Sequence, residues 1–183
     1  MSDPGLAPLG AEDWLVVVDP QVIFADPATS PWGSAMWAQT VPRIADLARA
    51  YGPQRTVVTR FAARPELGGS WGPYYEAWPF ALVPEDDDLY AVVPELAGLA
   101  AHTVTAGTFG KWNADLRAVV GEQPSLTVAG VSTDCCVIST VLPAADAGAT
   151  VRVLADACAG STPENHAHAL AVMALYAPQV TVV

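Results

Sequence analysis

Two adjacent cysteines, Cys135 and Cys136, stand where an apolar run, Leu126–Ala129, passes through Gly130-Val131-Ser132-Thr133-Asp134 into a helix-like segment. A thiol at a helix N-terminus ionises readily, because the exposed N–H groups and the helix dipole favour thiolate. The same pair could equally be small core residues, since free cysteine is among the most buried residue types. Asp19 closes a second apolar run, Trp14–Val18, and Lys111 follows a third candidate strand, His102–Ala106. Alone, an aspartate after a strand is often a turn former and a lysine a surface charge. Brought together, the three are complementary. A carboxylate can take the thiol proton, an ammonium holds that carboxylate ionised and favours thiolate, and N–H groups at the helix start can receive an oxyanion.

Whether they meet depends on the elements that carry them. Strands are expected at 14–18, 55–60, 102–106, 126–131, 150–155 and 179–183. Helices are expected from Ser34 to about Tyr51, over 92–99, from an Asn113 cap to Val120, over 135–147, and from Thr162-Pro163-Glu164 to about Tyr176. Short apolar strands alternating with helices predict an α/β fold. The expected form is a three-layer α-β-α, Rossmann-like domain with a six-stranded, mostly parallel sheet and helices on both faces. In such a sheet the carboxyl ends of all strands open on one edge, where ligands bind. Pro20 ends the first strand, Pro42 strains the first helix, and Pro143 predicts a kink or early break. Phe61 to Asp88 is a long aromatic excursion holding Trp71, Tyr74, Tyr75, Trp78 and Phe80. A connection of that length either covers a site or packs a satellite core or subunit contact. Asp86-Asp87-Asp88 reads as a solvated turn. Residues 1–12 read as a loose lead-in to a single domain spanning 1–183.

Composition narrows the function. The chain has 183 residues, 52% hydrophobic and 15% charged, which excludes a disordered protein. Its net charge of −11 argues against nucleic acid or an anionic membrane as partner. Three cysteines, an odd count, make no disulfide framework and point to a reducing compartment. No CxxC occurs, and His102, His166 and His168 are far from the cysteine pair in sequence, which argues against zinc. With neither a signal-like N-terminus nor an 18-residue apolar run, a soluble cytoplasmic protein is expected.

The motifs Val18-Asp19-Pro20-Gln21 with Phe24, Gly107-Thr108-Phe109-Gly110-Lys111, and Gly130-Val131-Ser132-Thr133-Asp134-Cys135-Cys136-Val137 with Thr140 carry a resemblance. With Thr162-Pro163-Glu164 and His166 it extends over almost the whole chain. The sequence resembles the isochorismatase-like cysteine hydrolases, which include nicotinamidases, N-carbamoylsarcosine amidohydrolase and related amidases. The resemblance implies Asp19 as general base and later acid, Lys111 as its partner, and Cys136 as nucleophile. The family pattern Thr-acidic-x-Cys-Val puts Cys136 in register and leaves Cys135 at the variable position. It also implies a cis Val131–Ser132 peptide and an oxyanion hole made by the backbone N–H groups of Ser132 and Cys136. The implied activity is hydrolysis of a C–N bond (amide, carbamoyl or imide type) of a small molecule through a thioester, by a homo-oligomer without a cofactor. The family's metal-binding members carry an Asp-x-His-type cluster after the second strand. Here that stretch, Thr59-Arg60-Phe61-Ala62-Ala63-Arg64, has no histidine, so neither a metal nor nicotinamide as substrate is expected. The alternatives are vinyl-ether hydrolysis, which does not need the cysteine, a silent binding or oligomerisation domain of the same fold, and a redox pair at Cys135–Cys136. Phe24, Trp71, Trp78 and Trp112 are the candidate substrate contacts, with Trp112 placed beside Lys111.

Overall fold

A computed structural model of the chain describes residue 10 and residues 12–183, so most of the expected lead-in falls outside the described residues. Six strands form one sheet: β1 (Trp14–Val18), β2 (Thr56–Phe61), β3 (His102–Ala106), β4 (Ser125–Val131), β5 (Thr150–Ala159) and β6 (Val180–Val182). Their order is β3-β2-β1-β4-β5-β6. Every neighbouring pair is parallel, with Val16 of β1 opposite Val57 of β2 and Val128 of β4.

The apolar runs are strands because both faces of the sheet are covered. Leu15 and Val17 join a core with Ile44, Leu47 and Ala48 from α2 (Trp37–Tyr51). Val16 and Val18 face the other way. They join Leu116 of α4 (Ala114–Val120), Val141 of α5 (Ile138–Asp146) and Met173 of α6 (Pro163–Ala174). Asn113 caps α4 by accepting the Leu116 N–H at 2.9 Å, and Thr162 caps α6 by accepting that of Asn165 at 3.1 Å. Among the described residues no helix is long and apolar enough to cross a membrane.

Several local expectations change. Between β1 and α2, where no helix is expected, lies the single turn α1 (Val22–Ala25). The helix expected from Ser34 begins at Trp37; Ser34 lies before it, with Oγ donating to the Gly160 carbonyl, 126 residues away, and accepting the Met36 N–H at 3.2 Å. Residues 92–99 make only a 3-10 turn, Pro94–Leu96. The aromatic excursion contains α3 (Trp71–Ala77) between 3-10 turns at 65–67 and 79–81. The helix expected over 135–147 starts as a π-helical turn, Thr133–Val137, and Pro143 does not end α5. Pro143 deprives the Ser139 carbonyl of its helical donor, and that carbonyl abuts Gly110 so closely that a Cβ there would lie 2.5 Å from it. β5 runs past 155 because its register shifts where Val128 and Gly130 pair with Val153 and Cys158.

At the sheet's opposite edge a buried polar network ties β1, α2, β4 and β5. Asp13 accepts from Thr127 at 3.0 Å and from the Tyr51 hydroxyl at 2.5 Å, and Arg152 donates to Tyr51 at 2.8 Å and to Thr127 at 2.9 Å. Burial, with Asp13 beside it, pushes the Tyr51 phenol up to about 12.

Candidate active site

The sheet order puts a topological switch point between β1 and β4, where successive connections leave in opposite directions and open a crevice. Asp19 sits at the carboxyl end of β1 with φ 47°, the one non-glycine residue of positive φ among the described residues. Its carbonyl accepts the Gln21 N–H at 2.7 Å across Pro20. The fully buried Gln21 side chain then donates to the carbonyls of Phe61 and Tyr90 and accepts the Phe61 N–H at 2.7 Å. The turn carrying Asp19 is thereby fastened to the end of β2. Across the crevice, Gly130 has φ 125°, and a Cβ there would meet the Val18 carbonyl oxygen at 2.2 Å. Only glycine lets β1 and β4 approach so closely at the switch point.

Asp19 and Lys111 are both completely buried and pair at 3.0 Å between Oδ2 and Nζ. Burial of either charge alone is prohibitive, so each is the condition for the other. Asp19 Oδ1 accepts the Thr59 hydroxyl at 2.7 Å, whereas Oδ2 has no aligned hydrogen-bond donor. Lys111 Nζ also donates to the Thr108 carbonyl and stands 5.5 Å from the centre of the Phe61 ring. Its backbone N–H donates at 2.9 Å to Thr140 Oγ1, which in turn donates at 2.7 Å to the Cys136 carbonyl. Thr140 therefore links the loop after β3 to the turn after β4. Neither Thr59 nor Thr140 is assigned a role by the sequence reading, although Thr140 lies in the third motif.

Beyond β4, Val131–Ser132 is cis, and the Ser132 carbonyl accepts the N–H groups of Cys135 and Val137, on either side of Cys136. Cys136 is buried and Cys135 half-buried, both as free thiols. The Cys136 thiol is held well above its ordinary range by its hydrogen bond with Cys135, then by burial and by the negative charge of Asp19; Lys111 opposes this. Cys136 therefore rests as a thiol, against the pull of the helix start toward thiolate. Cys135 moves down, chiefly through the same sulfur–sulfur hydrogen bond. Thr133 Oγ1 lies 2.8 Å from His166 Nδ1, and Asp134 accepts the Ser161 N–H and hydroxyl at 2.7 and 2.6 Å. These contacts fasten the 160–166 turn to the cysteine turn.

A cavity of about 180 Å³ opens over the cysteines. Phe24, Trp32, Phe61, Tyr74 and Phe109 wall it, and Ser132, Cys135, Cys136 and Ser161 supply its polar surface. Of the four substrate contacts expected from sequence, Phe24 lines it and the three tryptophans do not. Trp71 packs on Tyr74, Tyr75 and Phe109. Trp78 is 37% exposed and makes edge contacts with Trp32 and Phe80. Trp112 packs on the α4–α5 core, with its indole N–H buried and unpartnered. Trp32, not singled out from sequence, is the central wall residue: it stacks on Phe24 at 6.0 Å and meets Phe61, Tyr74 and Phe80.

The sequence profile of the Isochorismatase domain matches residues 13–183. No curated protein matches the chain in sequence. A cysteine hydrolase from Pseudomonas syringae pv. phaseolicola 1448A is similar in structure, with TM-score 0.78 and 21% identity over 100% of this chain and 94% of that one. The nicotinamidase of Bacillus subtilis gives TM-score 0.73 and 18% identity, covering 94% and 99% of the two chains. The pyrazinamidase of Pyrococcus horikoshii, solved in complex with zinc, gives TM-score 0.72 and 20% identity over 94% and 98%. The described residues of this chain do not fit such an ion. Among the described residues no three His, Cys, Asp or Glu side chains group to hold a metal. The end of β2 and the stretch after it present Arg60 and Arg64, bonded to the Glu85 carbonyl and carboxylate, and neither is a metal ligand.

Proposed function

Because this chain belongs to the isochorismatase domain family, we propose that it is a cysteine hydrolase that cleaves a C–N bond next to a carbonyl in a small molecule. The observation that carries this reading is the buried Asp19 carboxylate. It is charge-paired through Oδ2 with Lys111 at 3.0 Å and sealed from solvent, and no hydroxyl or backbone N–H donates to that oxygen. That oxygen can accept a proton, and the neighbouring Cys136 has one to give. Vinyl-ether cleavage would make no use of that thiol.

The substrate carbonyl lies over Cys136. Asp19 takes the thiol proton as Sγ bonds to the carbonyl carbon, and the carbonyl π pair moves to oxygen. The oxyanion is received by the N–H groups of Ser132 and Cys136. Its collapse breaks the C–N bond, and the proton on Asp19 passes to the departing nitrogen. Water then attacks the thioester while Asp19 takes its proton. The carboxylic acid leaves, and the proton returns to the sulfur. Lys111 stays paired with Asp19 between transfers.

The test is a screen of small amides, ureas and N-carbamoyl compounds for ammonia release, with intact-mass detection of the acyl-enzyme. Turnover lost in Cys136→Ala and a mass shift on Cys136 are expected. Equal turnover by Cys136→Ala, or no ammonia from any compound, overturns the reading.

A further inference from the structure

α3 contributes Tyr74 alone to the cavity wall, and the chemistry of that phenol is unused. The other substantially buried phenols are satisfied. Tyr51 bonds Asp13 and Thr127, Tyr75 accepts the Arg64 N–H at 3.1 Å, and Tyr90 donates to the Ala81 carbonyl. Among the described residues the Tyr74 hydroxyl has no hydrogen-bond partner. It is not sealed off either, unlike the unpartnered indole N–H of Trp112. Its ring is fixed by Trp32 at 5.8 Å, Trp71 at 5.3 Å and Phe109 at 5.4 Å. Burial first, then the two nearby cysteines, push its ionisation up, so it stays a neutral donor. A ligand that displaced water here without replacing its hydrogen bond would strand a polar group, a penalty larger than the gain from an ordinary bond.

The rest of the wall fixes the character of that ligand. Ser161 is committed to Asp134 and Asn165. Lys111, the chain's one lysine, is spent on Asp19, and neither lysine nor arginine lines the cavity. A carboxylate bound among Phe24, Trp32, Phe61 and Phe109 would be desolvated without a counter-charge. We infer that Tyr74 is a substrate-binding, specificity-determining residue, donating a hydrogen bond to an uncharged acceptor that the substrate carries in addition to its scissile carbonyl. The substrate is then a small, neutral amide with a flat or apolar body, and carboxylated amides are excluded. This deepens the hydrolase reading and rests on it for the word substrate, but the contact itself is testable without turnover.

The experiment measures binding to Cys136→Ala protein, with and without Tyr74→Phe, by quenching of tryptophan fluorescence. The probes are benzamide, its ortho-, meta- and para-acetyl derivatives, and the matching carboxybenzamides. In the Tyr74 protein one acetyl isomer should bind up to about tenfold more tightly than benzamide, the worth of one hydrogen bond. That ratio should fall to about one in Tyr74→Phe, with an unchanged thermal midpoint, and the carboxylates should bind more weakly than benzamide in both proteins. A ratio unaltered by Tyr74→Phe, tightest binding by a carboxylate, or no binding by any neutral probe overturns the inference. Failure of the wild-type protein to release ammonia overturns the hydrolase reading instead and leaves this ratio measurable.

Discussion

Replacing Lys111 by methionine keeps most of the side-chain volume and removes the charge. Lys111 and Asp19 are both fully buried, and their charged atoms are 3.0 Å apart. In the variant the carboxylate stays inside with one donor, Thr59 Oγ1. Breaking a buried pair from one side costs roughly 3–5 kcal/mol. A domain of this kind is stable by about 5–15 kcal/mol in total, so the loss is a large fraction. At roughly 2–4 °C per kcal/mol it should lower the melting temperature by about 6–20 °C. Urea unfolding followed by tryptophan fluorescence reads the change. The double variant Asp19→Asn/Lys111→Met should recover much of the loss, because the stranded charge is gone, while remaining inactive. If Lys111→Met unfolds within about 1 kcal/mol of wild type, or the double variant is no more stable than the single, the pair is not the buried, mutually dependent unit described above.

Three other outcomes are expected. At neutral pH iodoacetamide should label the half-buried Cys135 before the buried Cys136; peptide mapping that finds Cys136 first would contradict the direction of its shift. Burial raises Cys158 from 9.0 to about 12, and Tyr51 stands near 12 instead of 10.0. Both groups keep their protons in the folded protein after the unfolded chain has begun to lose them, so stability is whole below pH 9 and declines progressively between pH 9 and 12. Denaturation curves across that range should show this, with a shallower decline in Cys158→Ala. Gly130→Ala would put a Cβ 2.2 Å from the Val18 carbonyl at φ 125° and should cost at least about 3 kcal/mol; a melting temperature equal to wild type would refute the close-approach argument.

Much of this molecule is written locally. Val16, Val57 and Val128 lie in apolar runs bounded by turn residues, and such runs between helical segments leave few arrangements besides a covered parallel sheet. The sheet edge shared by Asp19, Lys111 and the cysteine turn follows from that alternation, because each lies just past a strand. The caps at Asn113 and Thr162 are legible for the same reason: a cap is a contact within one helical turn. Tertiary structure decided what depends on partners far along the chain. Ser34 is tied across the fold to Gly160, and α5 continues through Pro143 with the Ser139 carbonyl set against Gly110. The cavity wall took Trp32 and Tyr74 in place of Trp71, Trp78 and Trp112. In irregular segments no periodicity tells which way an aromatic ring turns. The protonation of Cys136 was likewise beyond the sequence. Helix position favours thiolate, whereas burial, the Cys135 bond and the Asp19 charge oppose it, and those forces exist only once the chain has folded around them.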